Sequence, residues 1–443
     1  GLRCTKASWL ACAATAGAWA SSIPRSLRVR VDRSSRYRRV WPSAAWLSPP
    51  AGTACVGVSR TQSLAPALWS IRAQFAALGL ISGVWGVHIP SIKAHYGLGE
   101  AALSLVLLTM ALGAVLSLLG AGRVIARLGV RRATVLAALL MGAMLALALQ
   151  WPTLGWMLPS MLLLGAAMSL FDVAINTEGS ALESLAGRAV MSNLHGSFSL
   201  GGMTGAALGA LLLRWQWPPE LQLAGVGLLI AGAVGLAARG MLDQHPPEAA
   251  HGSGETEPAR FVWPRGQLLL LGLLIFAAMS AEGAMYDWSV LYLTQEVLLP
   301  QDQAALGYAA FAGAMAVARL LGDRLRDRYP EALLLRAGSL LTAVAMSLVL
   351  LSGLAWVALL GYALIGAGLA LSAPILYNAS TRVPGTTRAA AIAAVTSVGY
   401  SGFLLGPPLI GTLAQGFGLS WALGVVVLAS LLLARGARLL PRR

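Results

Sequence analysis

From Ile71 onward the chain repeats one pattern: an apolar stretch of about 20 residues, a short polar break, then another apolar stretch. A helix of about 20 residues covers the roughly 30 Å of a bilayer's hydrocarbon core. Twelve such spans are expected, at approximately 71–92, 101–121, 133–150, 154–176, 193–213, 221–239, 267–293, 304–321, 333–353, 355–377, 389–413 and 420–437. In hydrocarbon every backbone N–H and C=O has to find its partner inside the protein, which for segments of this length means helix. The chain therefore reads as an all-α integral membrane protein with the lipid bilayer as its surroundings. Composition agrees: 57% of residues are hydrophobic, 11% are charged and the mean hydropathy is +0.71, where a soluble domain carries about 25% charged residues.

The net charge of +15, from 32 Lys and Arg against 17 Asp and Glu, would suggest a nucleic-acid partner if it were spread over a surface. Instead, residues 1–72 hold 11 of the basic groups against one acid, Asp32, so no nucleic acid is expected as a partner. Cys4, Cys12 and Cys55 lie in the same head, which leaves the body no cysteines for a disulfide framework or metal site. Residues 1–66 are rich in Arg and Ser and lack a long apolar run, so they are expected to lie outside the fold. The leading reading is an extension upstream of a natural start near Val56–Leu68, since no methionine precedes Met110. A disordered basic tail and an organellar transit peptide are the other two.

The polar interruption at 240–265, with its Pro, Gly and acidic residues, reads as a cytoplasmic linker between a first bundle of six helices, 67–239, and a second, 266–443. With each basic residue assigned to its nearer loop, the loops after spans 2, 4, 6, 8 and 10 and the C-terminus hold 19, and the opposite loops hold two, Lys93 and Arg214. The positive-inside rule then places both termini in the cytoplasm. The halves also repeat. Gly122-Arg123-Val124-Ile125-Ala126-Arg127-Leu128-Gly129-Val130-Arg131-Arg132 closes span 2, and Gly322-Asp323-Arg324-Leu325-Arg326-Asp327-Arg328-Tyr329 closes span 8, 200 positions on. The glycines of span 5 (Gly196, Gly201, Gly202, Gly205, Gly209) are echoed in span 11 (Gly399, Gly402, Gly406, Gly411). Parallel six-helix repeats point to a transporter whose site lies between its halves.

These residues resemble a family. The stretch 322–329 is similar to the loop motif G-x-L-x-D-R-x-G-R-R of the major facilitator superfamily. The segments 171–183 (FDVAINTEGSALE), 192–202 (SNLHGSFSLGG) and 281–293 (AEGAMYDWSVLYL) resemble the fucose-permease-like bacterial carriers within it. The chain departs from the motif at Ala126, where an Asp belongs, and at Pro330, where a Gly belongs. The resemblance implies the major facilitator fold and a carrier of small molecules in the inner (plasma) membrane.

Ionisable groups inside hydrocarbon cost roughly 2.5–3.5 kcal/mol each on insertion scales, so they are functional candidates first. Glu282 lies near the middle of span 7, with Tyr286 and Ser289 on the same face. Asp287 lies about 140° around the helix from it. Mid-depth makes Glu282 the leading proton-coupling residue, followed by Asp287 and Asp172. Asp172 and Asn176, one turn apart near the inner end of span 4, suit a cytoplasmic gate with Arg127, Arg188 or His195. The loop residues Gly122, Arg127, Gly129, Arg131, Gly322, Asp323, Asp327 and Arg328 are expected to latch that gate, with Gly322 making a tight turn and Asp327 taking most of the load because Ala126 cannot. Trp85, His88, Tyr286, Trp288, Tyr362 and Tyr400 are candidates for the substrate cavity, with Tyr377 and Asn378 less central. His88 and His195 fall near opposite faces, so no metal site is expected, and no cofactor.

Gly399-Tyr400-Ser401-Gly402 matches the GxSG of intramembrane serine proteases, but the last histidine is His251, in the linker, so a base is missing and no enzymatic activity is expected. No intramembrane cluster of fixed positive charge awaits an anionic substrate. The expected function is secondary active transport of a small polar solute, sugar-like or similar, by rocker-switch alternating access, proton-coupled, in a monomer. Drug or metabolite efflux by proton antiport is the alternative, although span 5 lacks a Gly-Pro step and span 4 an Arg. A non-transporting receptor or scaffold comes last.

Overall fold

A computed structural model describes residues 64–188, 190–243, 245 and 263–440. Of the head, residues 64–66 form the first turn of helix 1; the expectation for residues 1–63 lies outside the described residues. The described chain holds twelve helices long and apolar enough to cross a membrane, and no strand. They are α1 (Leu64–His95), α2 (Glu100–Leu128), α3 (Val130–Leu147), α4 (Leu154–Ala186), α5 (Met191–Arg214) and α6 (Pro219–Ala237) in the first half. The second half has α7 (Gly266–Gln295), α8 (Gln301–Arg328), α9 (Glu331–Ser352), α10 (Ala355–Ser380), α11 (Arg388–Phe417) and α12 (Leu419–Leu439). The face that carries the turns after even-numbered helices is called the basic face below, after its arginines.

Several helices run past the expected spans, because apolar length marks only the part that hydrocarbon must cover. α4 continues to Ala186, stops at Gly187 (φ 62°), and lets Glu183 accept the Val190 and Met191 N–H groups at 2.7 and 3.0 Å, which caps α5. α2 reaches Leu128 and turns directly into α3 through Gly129, whose φ of 80° strains any residue with a Cβ. α8 continues to Arg328, so Gly322 is helical rather than in a tight turn; a Cβ there would meet the Leu371 side chain of α10. α10 breaks at residues 370–371, where Pro374 offers no N–H to the Ala370 carbonyl. α11 stays helical through Pro407 and Pro408.

Packing follows the repeat. α1 lies on α5, α2 on α4, and α3 on α4 and α6; in the second half α7 lies on α11, α8 on α10, and α9 on α10 and α12. The α1–α5 contact brings backbones together. Gly79 and Gly83 lie against the Phe198 and Gly202 carbonyls, and Gly201 and Gly205 against those of Ala76 and Leu80, so a Cβ at any of the four would collide with backbone. Between helices that gain nothing from expelling water, such close approach supplies the dispersion energy.

The halves meet along α5–α8, α2–α11 and α1–α7. On α5–α8, Gly196 lies under the Leu320 side chain, and a Cβ at Gly202 would come within 3.6 Å of the Ala312 methyl. On α2–α11, Gly411 lies against Ser104 and the Glu100 carbonyl, near the face opposite the basic one. Farther toward the basic face, Gly406, Gly120 and Gly122 would present a Cβ with no neighbour within 4 Å. The opposite face is also closed by Gln301 of α8, whose amide donates to the Val87 carbonyl and to Ser91 of α1, both at 2.8 Å.

Candidate functional site

The polar centre of the molecule lies where α7, α8 and α5 converge. Glu282 Oε1 accepts hydrogen bonds from the Tyr286 hydroxyl and from Arg319 Nη2, each at 3.0 Å. Arg319 Nη1 donates to Ser199 Oγ of α5 at 2.9 Å, and the Ser199 hydroxyl donates to the His195 carbonyl at 3.3 Å. Both members of the Glu282–Arg319 ion pair keep 15% of their side-chain surface exposed. Glu282 Oε2 has no hydrogen-bond partner among the described residues and is not enclosed. Taking two charges out of water costs several kcal/mol per ion, repaid only by close pairing and further hydrogen bonds. Here Tyr286 and Ser199 supply those bonds.

The other candidates take various places. Asp172 and Asn176 do face the same way: the Asn176 amide donates to the Asp172 carbonyl at 2.8 Å and to its Oδ1 at 3.0 Å. Across the halves, Tyr400 of α11 lies within electrostatic reach of Asp172. Asp287 is partly exposed, with Tyr308 of α8 within electrostatic reach, and forms no ion pair among the described residues. Of the aromatic candidates, Tyr286 and Tyr400 keep some exposure; Trp85, Trp288 and Tyr362 are buried, as is His88. The Tyr362 hydroxyl donates to the Ser289 carbonyl at 3.2 Å, while the indole N–H groups of Trp85 and Trp288 and the Tyr308 hydroxyl find no partner among the described residues. Gly86 of α1 rests on the Tyr308 ring and the Tyr286 carbonyl. The His195 ring meets Phe75 edge-on at 5.4 Å. Among the described residues no cluster of three metal-ligating side chains occurs.

At the basic face the two halves tie off separately. Arg131 Nη2 donates to the Met241 carbonyl at 2.6 Å and to Asp243 at 2.9 Å. Glu178, wholly buried about two turns before the end of α4, accepts the Leu242 N–H at 2.8 Å and meets His245. In the second half Glu331, 6% exposed, binds Arg326 at 2.7 Å, Arg382 at 3.1 Å and the Asn378 amide at 2.7 Å. The side chains of Asp323, Asp327 and Arg328, and that of Arg127 on α2, are exposed and make no hydrogen bond or ion pair among the described residues, and Gly122 is exposed on the same helix as Arg127. Among the described residues, no side-chain hydrogen bond or ion pair joins the loop motifs to the facing half in this arrangement.

Arg319, Ser199 and Glu331 escape the sequence reading. Arg319 falls two residues before the expected end of span 8 and reads as a loop charge there; the helix continues about two and a half turns beyond it, which draws it into the interior. The available signal was one unpaired Glu near the middle of span 7 and one Arg on the inner part of span 8.

A family model described as Major Facilitator Superfamily matches residues 71–401 and 270–443. An uncharacterized MFS-type transporter of Yersinia pestis is 36% identical over 375 residues, 84% of this chain and 95% of the relative. Membrane protein MosC of Rhizobium meliloti is 31% identical over 366 residues, 82% of this chain and 88% of MosC. Among solved structures, a bacterial homolog of the human lysosomal transporter Spinster, inward-facing and unoccupied, superposes with a TM-score of 0.66 at 15% identity, covering 86% of this chain and 98% of that one. FucP in its outward conformation superposes with a TM-score of 0.61 at 15% identity, covering 87% and 100%. At such identities these likenesses speak for the fold.

Proposed function

The chain belongs to the Major Facilitator Superfamily, and from that premise we propose that it carries a small polar solute across the inner (plasma) membrane by proton-coupled alternating access. The observation that bears most weight is the Glu282–Arg319 pair. It is an ionised couple held inside the spanning region, with one carboxylate oxygen left unbonded, where a proton can be loaded and released. A polar solute is also consistent with solved neighbours whose names record a nucleoside transporter and a fucose:proton symporter.

In this reading the basic face is cytoplasmic, both termini lie there, and the halves 67–239 and 266–443 rock about the site as rigid units joined by the linker 240–265. The contacts at Gln301, Ser91, Gly411 and Ser104 close the periplasmic side, and the open stretch at Gly120, Gly122 and Gly406 faces the cytoplasm. The arrangement is therefore the inward-facing one. Asp327 and the other loop residues act in the alternative, outward-facing state. The carrier works as a monomer and without a cofactor.

The test is a solute screen in proteoliposomes with an imposed pH gradient, read by counterflow of labelled sugars and nucleosides beside a panel of lipophilic cations. Counterflow of a sugar or nucleoside supports the reading, and counterflow of lipophilic cations alone replaces it with drug efflux. With a substrate in hand, Glu282→Gln should abolish accumulation against a gradient while exchange continues, because the amide mimics a permanently loaded carboxyl. Accumulation surviving in that variant moves the proton site to Asp287 or Asp172.

A further inference from the structure

We propose that Arg319 is the residue through which the loading of Glu282 is felt by the opposite half. The proposal rests on the reading of Glu282 as the proton site. Arg319 is the one side chain that holds Glu282 in its own half and Ser199 in the other at once, through separate guanidinium nitrogens, at 3.0 and 2.9 Å. Ser199 passes the contact on to the His195 carbonyl of α5, and the Ser192 hydroxyl of α5 reaches the Arg319 carbonyl at 3.4 Å. The His195 ring in turn packs on Phe75 of α1. Glu282 is thereby linked through α8 and α5 to the helix pair that forms the tightest packing of the first half.

The chemistry gives the link a direction. While Glu282 is ionised, its charge fixes the guanidinium plane, and the second nitrogen is aimed at Ser199. A proton arriving on Oε2 cancels the charge that holds Arg319, and a planar fork bonded on two sides cannot keep its orientation when its charged partner is lost. The Arg319–Ser199 bond then weakens, and α5 is released from α8 at the level of the site. A lysine offers one point of charge in place of two nitrogens with fixed directions, so the link needs arginine rather than positive charge alone. Ionisable groups facing Glu282 are Tyr286 on its own helix, Arg319 and Tyr308 on α8, and His195 on α5. No side chain of α1, α10, α11 or α12, which also pack on α7, is a hydrogen-bond or ion-pair partner of Glu282 among the described residues.

The pair Ala126→Cys and Thr387→Cys, exposed on the basic ends of α2 and α11, reports the separation of the halves when spin-labelled after removal of the native cysteines. Distance distributions are measured by pulsed electron paramagnetic resonance in lipid nanodiscs at acid and at alkaline pH. With the native site, the distribution is expected to shift between the two. Ser199→Ala and Arg319→Lys should each reduce that shift by at least half. Glu282→Gln should hold the acid-side distribution at both, and adding Ser199→Ala to it should change nothing more. A Ser199→Ala protein that shifts as fully as the parent overturns the link while leaving Glu282 as the proton site. A full shift in Glu282→Gln, or one abolished by His195→Gln alone, overturns the proton reading and the link together. If Arg319→Lys does not fold, the Ser199→Ala result decides.

Discussion

Two of the seams between the halves are made equivalents by the internal repeat: α5 against α8, and α11 against α2. Arg319 and Ser199 bridge the first. At the corresponding positions 200 residues away, the second has Leu119, 74% exposed on α2, and Gly399, which packs on Ile275 of its own half. Along α5–α8 contact runs from Ser192 to Gly202, whereas α11 and α2 are in contact at Gly411 and Ser104 and leave Gly406, Gly120 and Gly122 open. The repeat thus reproduces the scaffold of small residues and helix partners but not the polar bridge. In this arrangement one seam is engaged along its length and bridged by Arg319, and the other touches only toward the face opposite the basic one.

The largest effect that can break this comparison is expected at the bridge. Arg319→Leu leaves an unpaired carboxylate inside the protein, which should cost about 3–5 kcal/mol, and Glu282→Gln combined with Arg319→Leu should recover most of the loss. Thermal unfolding in one detergent compares the two; equal stability of the single and double variants would mean that the pair is not a unit. Next comes the other seam. Gly411→Val forces a side chain against Ser104 and the Glu100 carbonyl, an overpacking worth about 1–3 kcal/mol. It should open the face opposite the basic one, so that labelling of Ser91→Cys by an impermeant thiol reagent rises roughly tenfold. Unchanged labelling would show that α2–α11 does not hold that side shut.

A smaller shift is expected at Gln301. Its loss in Gln301→Ala removes two hydrogen bonds to α1, each with a net worth of about 1 kcal/mol. The same Ser91→Cys assay should rise less than with Gly411→Val, and a larger rise would make Gln301 rather than the α2–α11 seam the main closure. The smallest effect belongs to the loops. Asp327→Asn should raise, and Ala126→Asp lower, the labelling of Asn176→Cys, each by a few fold at most, because an exposed charge contributes little. If neither variant changes labelling while transport is lost, the loop serves assembly or topology instead.

The fold was legible because hydrocarbon demands whole apolar helices, so twelve spans and their 200-residue repeat stand out in the sequence itself. Gly201, Gly205 and Gly209, which stand out in span 5 of the sequence, are where that helix packs on Ala76, Leu80 and Val87. What hydropathy cannot give is where a helix ends beyond the apolar part. That is why Gly322 read as a turn and Arg319 as a loop charge, and why the site was seen as a lone Glu282. Glu331 was missed for a related reason. It sits at the first residue of α9, and its partners Arg326, Asn378 and Arg382 come together only when α8 and α10 pack beside it.

The docking of Met241, Leu242 and His245 onto Arg131 and Glu178 bears on how the halves are tethered. With these residues anchored, residues 246–262 remain between His245 and Trp263. Fully stretched, such a chain reaches about 60 Å, more than the thickness of a membrane. On length alone, residues 246–262 set no limit on a separation of the halves within that reach. What the packing of the first half fixes is the attachment point at Arg131 and Glu178, and a break within residues 246–262 should leave two fragments that still find each other through α5 and α8.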